Sequence, residues 1–370
     1  MFKKKDPEKS HKESTRRRTK MGLFSRKRDH TPAVPKEKLI PCDKIFLDPP
    51  AKYGNAPLLE PISEDQNEKY RAVLRHFQDD DLKLPENLND LDNGTHANDR
   101  PLSDWEKFWL SRECFLRYLR ANKWNTANAI KGLTKTLVWR REIGLTHGKE
   151  DKDPLTADKV AVENETGKQV ILGFDNAKRP LYYMKNGRQN TESSFRQVQE
   201  LVYMMETATT VAPQGVEKIT VLVDFKSYKE PGIITDKAPP ISIARMCLNV
   251  MQDHYPERLA KCVLINIPWF AWAFLKMMYP FLDPATKAKA IFDEPFENHI
   301  EPSQLDALYN GLLDFKYKHE VYWPDMVKKV DDLRLKRFDR FLKFGGIVGL
   351  SEYDTKGQHD ELKYPVDMVI

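Results

Sequence analysis

The chain has 370 residues, 40% hydrophobic and 31% charged, with a formal net charge of +5. That length buries a substantial core without disulfide or metal staples, and the composition excludes a fibrous or wholly disordered chain. The charge is uneven: residues 1–30 hold twelve Lys/Arg against four Asp/Glu, a net +8, so the remainder carries −3 and offers no basic groove for nucleic acid along its body.

Residues 1–30 read as a disordered basic tail, of the kind that anchors to a membrane surface, serves as a nuclear localisation signal or merely solubilises. Residues 31–62 hold seven prolines and read as an extended arm. Ser63-x-x-Gln66 makes a capping box that opens a helix ending near Phe77. Residues 79–100 are polar and read as a loop. Ser103-x-x-Glu106 is a second capping box, opening one helix through Trp105, Trp109, Phe115, Leu116 and Leu119. Asn125 caps a helix from Thr126 to Ile143, closed by Gly144. Gln169–Phe174 and Leu181–Met184 read as strands around a turn at Asp175–Pro180. A helix over Glu192–Val211, a buried strand over Lys218–Asp224 and a helix over Ile241–Gln252 follow. Strands alternating with helices imply a sheet with parallel stretches. Ser303–Tyr309 reads as a short helix, and Asp325–Phe344 as a basic amphipathic one. The cysteines at 42, 114, 247 and 262 form no C-x-x-C pair, which fits a reducing, cytosolic setting.

The stretch from His254 to Phe296 stands apart. A charged turn, His254 to Arg258, precedes an apolar run, Cys262–Ile267, that suits a strand buried on both faces. Pro268 then suits the first turn of a helix, Trp269–Tyr279, apolar nearly all round. Asp283-Pro284 starts another helix carrying Lys287 and Lys289. A helix apolar on every side is a buried core element or the lid of an apolar cavity, and periodicity does not separate the two. The longest uncharged apolar run, between Lys261 and Lys276, is fourteen residues. A membrane span needs roughly 20, so any membrane contact is expected to be peripheral.

Signatures of catalysis are absent: no G-x-S-x-G, H-E-x-x-H, G-x-G-x-x-G or Walker A loop occurs. No cofactor is expected. His254 is the one histidine in the central stretch; it reads as structural, with a lipid hydrolase using it as base the competing reading. Glu257 and Arg258 precede the strand, and Thr286 and Lys289 share a helix face at i, i+3. A carboxylate accepts from polyol hydroxyls while Lys and Arg bind phosphate, so the set suits a polyol phosphate, or else a surface salt-bridge cluster.

Several segments resemble the CRAL-TRIO lipid-transfer family, in its phosphatidylinositol transfer branch. They are CFLRYLRANKW from Cys114, LVWRRE from Leu137, RPLYY from Arg179, VDFK from Val223, YPERL from Tyr255, NIPWFAWAF from Asn266 and FLDPATKAK from Phe281. VAVENETGKQVILGF from Val160, FDEPF from Phe292 and FGGIVGLSE from Phe344 are similar to the fungal pleiotropic-drug-resistance subgroup.

The resemblance implies an α/β fold: an N-terminal helical tripod, then a CRAL-TRIO α/β lipid-binding domain with a gated apolar pocket. Residues 1–62 would be the tail and arm, 63–150 the helical subdomain, 151–315 the lipid-binding domain, and 316–370 a C-terminal helix and tail packing on it. The gate would be Trp269–Tyr279, with Trp269, Phe270, Trp272, Phe274, Met277 and Met278 facing pocket or membrane. Phosphatidylinositol headgroup contacts carry over to Glu257, Arg258, Thr286, Lys289 and Lys123; Asn122 stands where the family commonly has Arg. Ile219 and Val221 stand where members that carry phosphatidylcholine have hydroxyls. The implied protein is non-enzymatic and cytosolic. It binds and transfers phosphatidylinositol but not phosphatidylcholine, with a sterol or similar apolar molecule as second occupant. It would sit peripherally at endoplasmic reticulum, lipid droplets or plasma membrane. The alternative is an adaptor that presents lipid to a lipid kinase or lipid-synthesis enzyme at membrane contact sites.

Overall fold

The computed structural model describes residues 36–147, 151–234 and 240–366. The basic segment 1–30 lies outside the described residues. From residue 36 the Pro-rich arm docks at several points: β1 (Ile40–Cys42) pairs in parallel with a late strand, Leu313–Phe315. Ile45 is buried, and the Lys178 ammonium donates to the Gly54 and Asn55 carbonyls.

The helical subdomain forms where its caps predict. In α1 (Glu64–Phe77) the Ser63 hydroxyl accepts from the Gln66 N–H, and the Gln66 side chain accepts from the Ser63 N–H. The segment expected to be a loop holds a short antiparallel pair, β2 (Lys83–Leu84) and β3 (Arg100–Pro101), around α2 (Leu88–Asn93), which Asn87 caps. Past the second capping box the expected single helix is two, α3 (Asp104–Trp109) and α4 (Arg112–Ala121). Leu110 leaves the helical region at ψ 56°, and Ser111 caps α4 by accepting from the Cys114 N–H. A serine inside an apolar pattern is thus a second start signal. α5 (Thr126–Ile143) ends at Gly144, whose φ of +80° and 2.4 Å separation between an added Cβ and the Asp153 carbonyl exclude any side chain. Leu74, Phe77, Phe115, Leu119, Leu133 and Leu137 make a core of their own.

The second core belongs to a five-stranded sheet. After α6 (Ala157–Ala161), β4 (Gln169–Phe174) and β5 (Pro180–Lys185) form a hairpin. α7 (Phe195–Val211) leads to β6 (Ile219–Asp224). α8 (Ile241–Asn249) unwinds into a π turn, Val250–His254, where a plain helix to Gln252 is expected; β7 (Leu259–Ile265) follows. α9 (Trp269–Met278) starts after Pro268, which is its N-cap rather than its first turn. α10 (Pro284–Ala288) and β8 (Ala290–Phe292) complete the sheet in the order β4-β5-β6-β7-β8, parallel except for β4.

The expected helix at Ser303–Tyr309 is two separate 3-10 turns. β9 (Leu313–Phe315) is the strand that receives the arm. α11 (His319–Lys343) starts six residues before Asp325, with Pro324 inside it, and α12 (Glu352–Lys356) follows. The C-terminal segment bridges the two cores: Phe338 stacks on Trp105 of α3, and Val348 enters the helical core.

Candidate functional site

Strands β5 to β8 lie in chain order, so each crossover steps one strand in the same direction. Right-handed crossovers then place α7, α8 and α9 on one face of the sheet. The register fixes which side chains share it. Tyr182, Val221, Cys262 and Ala290 are neighbours across four strands, as are Met184, Val223, Leu264 and Phe292. Period-two alternation adds Ile219. All nine are apolar or aromatic, and Trp272 of α9 lies against Phe292. Ile219 and Val221 are buried on the face beneath the helices. The opposite face carries the polar groups: Thr220 donates to Asp175, Tyr309 donates to Asp224, and Lys185 pairs with Asp306.

Cover on the apolar face is incomplete towards β8. Of the apolar run Cys262–Ile267, expected to be buried on both faces, only Val263 and Leu264 are fully buried; Cys262 and Ile265 are half-buried. Along α9, Ala271 and Met278 are buried, Phe270, Trp272 and Phe274 are half-buried, and Met277 is exposed. Trp269 is 82% exposed. Ile241, Tyr279, Phe281 and Phe292 extend the exposed apolar surface. Among the described residues no helix is long and apolar enough to cross a membrane. Exposed apolar side chains grouped on neighbouring elements are a feature of interaction surfaces.

α9 hangs from a constrained joint. Asn266 adopts φ +54°, and its amide donates to Asp224 at 2.7 Å. A left-handed residue at an element boundary absorbs backbone rotation that other positions resist.

The polar candidates gather around the start of β7 and around α10. Glu257 occupies a left-handed turn at φ +59° and pairs with Lys218 at 3.6 Å. Lys123, exposed and also left-handed, is bonded through its N–H to Arg120, and Arg120 pairs with Glu217 beside Lys218. Asp283 caps α10 by accepting from the Thr286 N–H and hydroxyl. Gln252 of the π turn accepts from the Asp283 N–H and donates to the Phe281 carbonyl, tying α10 to the segment that carries Glu257. Lys289 closes α10; its carbonyl accepts from Cys262, and its ammonium has no ion-pair partner among the described residues. Arg258 is differently employed. Its guanidinium turns to the Glu217 carbonyl and the Glu352 carboxylate, so in this arrangement the protein itself takes up its charge. Lys218 and Gln252 escape the sequence reading. Asp-Pro-x-Thr is a legible cap, whereas the two partners from distant elements leave no sequence signal.

Behind the Tyr255 turn the two cores are joined by buried ion pairs. Burial alone would raise Glu206, but Arg140 at 2.9 Å, with the Tyr255 hydroxyl, holds it at about 2. His254 is buried, stacked on Trp139 at 4.0 Å, and shares a hydrogen bond with Thr136 at 2.9 Å; burial lowers it to about 3. It is built into the joint between helical subdomain and sheet. The four cysteines are all free.

Comparison with known proteins agrees with this architecture. The profile of the CRAL/TRIO domain matches residues 164–311, and that of the CRAL/TRIO N-terminal domain matches residues 69–135. A CRAL-TRIO domain-containing protein of Schizosaccharomyces pombe is 40% identical over 309 residues, 84% of this chain and 29% of its own length. A phosphatidylinositol transfer protein of Eremothecium gossypii is 25% identical over 316 residues, 80% of this chain and 66% of its own. The crystal structure of Sfh5 covers 75% of this chain and 99% of that one, at 13% identity and a TM-score of 0.47. The chain thus spans less than a third of its fission-yeast relative. It contains a CRAL/TRIO N-terminal domain followed by a CRAL/TRIO domain.

Proposed function

We propose that the chain binds one phosphatidylinositol molecule and transfers it between membranes. The acyl chains occupy the apolar face lined by Ile219, Val221, Cys262 and Phe292, under α8 and α9. The headgroup lies at the cluster of Glu257, Thr286, Lys289 and Lys123, with Arg258 fixing the turn that carries Glu257. A sterol-like molecule is the second occupant of the apolar face, and phosphatidylcholine is excluded. The setting is a membrane surface of the endoplasmic reticulum, lipid droplet or plasma membrane, as for a member of the pleiotropic-drug-resistance subgroup.

One observation carries this reading: α9 is apolar nearly all round, Lys276 excepted, yet exposed at Trp269 and Met277 while it covers an apolar sheet face. A core helix has no reason to expose Trp269, whereas a gate that enters a membrane interface does. Free cationic capacity at Lys289 and an acceptor at Glu257 suit a phosphate and a ring hydroxyl. Lipid mass spectrometry of the purified full chain tests it. Phosphatidylinositol at close to one per chain is expected; a preparation holding only phosphatidylcholine, or no lipid, contradicts it.

A further inference from the structure

A cavity of about 110 Å³ lies between α3, α5, α7, α11 and α12. None of its lining residues belongs to the sheet, α8 or α9. Its walls carry an unbalanced charge. Arg140, Arg258, Arg334, Arg337 and Lys356 line it, against the carboxylates of Glu206 and Glu352. Most of these groups answer one another. Arg140 is bidentate on Glu206. Glu352 accepts from Arg258 and Lys356, and also from Arg117, whose second carboxylate is Glu217. Arg334 pairs with Asp331 at 2.6 Å, near the rim. His147, also on the lining, is solvent-exposed and lies against Trp105. Counting Asp331, and letting Arg117 and Glu217 cancel, two positive charges remain unmatched among the described residues.

Arg337 is the group left over. It is 8% exposed and makes no salt bridge among the described residues; Glu352 acts on it only at longer range. Its guanidinium donates only to the Thr210 and Ala212 carbonyls, and its Nε has no hydrogen-bond partner among the described residues. Burial lowers it to about 10, so it stays cationic at neutral pH. A buried charge without a counter-charge is costly, and a buried donor without an acceptor is rare enough to need a reason. Trp105, Phe108 and Trp109, all half-buried, make up the apolar part of the lining.

We propose that this cavity binds one phosphate group, as inorganic phosphate or as the phosphate monoester of a small molecule or lipid headgroup. A dianion matches the surplus of two charges, and the volume accepts a group of that size. Guanidinium forks suit a tetrahedral oxyanion better than they suit chloride. Apart from Arg258, none of the lining residues belongs to the proposed lipid site.

Isothermal titration of the full chain with inorganic phosphate, at low ionic strength in a chloride buffer, tests the proposal. A second arm measures flotation with vesicles of phosphatidylcholine containing phosphatidic acid, against phosphatidylcholine alone. Saturable one-to-one binding of phosphate is expected, weakened about tenfold or more in Arg337→Gln. Arg334→Gln, a change near the rim, should weaken it about threefold, and carries the comparison if Arg337→Gln does not fold. Phosphatidylinositol transfer should be unchanged in both variants. A response in the titration assigns a free anion, and one confined to phosphatidic acid vesicles assigns a lipid headgroup. Wild-type binding that neither variant weakens, or no binding in either arm, overturns the proposal.

Discussion

Trp272 of α9 lies against Phe292 of β8, with ring centroids 5.2 Å apart and planes inclined at 37°. This contact joins the free helix to the outermost strand of the sheet. An aromatic pair of this kind contributes about 0.5–1.5 kcal/mol beyond its area, strong enough to hold a lid and weak enough to release it. Trp272→Ala should therefore raise amide hydrogen exchange across residues 269–278 while leaving the sheet protected. Unchanged exchange in that segment would assign α9 to the static core.

Trp269 faces outward from the same helix. Trp269→Asp should leave the urea unfolding free energy within about 0.5 kcal/mol of wild type, as for other exposed positions. Flotation with neutral vesicles should fall sharply. Equal flotation of both proteins would remove α9 from the membrane contact.

Ile219 and Val221 are fully buried on the apolar face. Val221→Thr introduces a hydroxyl with no acceptor on that face and should cost about 1–3 kcal/mol in urea unfolding. Ile219→Ser adds lost side-chain volume and should cost more. If either change is free, the face is wetter than the register implies.

The joint between the cores should set the acid stability. His254 is lowered to about 3 from 6.5, so the unfolded chain binds its proton first as pH falls. Stability present above 6.5 is then lost on acidification towards 3, at up to about 1.4 kcal/mol per pH unit. Glu206 is lowered to about 2 and adds its loss only below 4.5. The window from 6.5 to 4.5 separates the two. Over that window urea unfolding of His254→Gln should show a flatter pH profile than wild type, though a lower one. Parallel profiles would show that His254 does not titrate on unfolding.

Much of the scaffold was legible in local signals. Ser63, Ser103, Asn125 and Gly144 mark helix ends by cap chemistry that acts within four residues, and the structure places those ends there. Ser111 carried the same chemistry but lay inside an apolar run, which hid the break before α4. β1 and β9 depend on a partner more than 270 residues away, and strands of three residues have no periodicity to read. At the site, Glu257, Thr286 and Lys289 stand out by charge beside an apolar run. The employment of Arg258 was not legible, because Glu217 and Glu352 come from other parts of the chain. The cavity around Arg337 was invisible for the same reason: its charges are drawn from five separate elements.

Lys289 offers the cleanest handle on the central claim, since its side chain adds a cation without core volume and has no ion-pair partner among the described residues. Transfer of labelled phosphatidylinositol and of phosphatidylcholine between vesicles, by the unmodified chain and by Lys289→Ala, is the most direct measurement. Phosphatidylinositol should be transferred by the unmodified chain and phosphatidylcholine should not. Lys289→Ala should lose transfer about tenfold or more while its unfolding midpoint stays unchanged. Phosphatidylcholine transfer at the rate of phosphatidylinositol, or full phosphatidylinositol transfer by Lys289→Ala, would contradict the account.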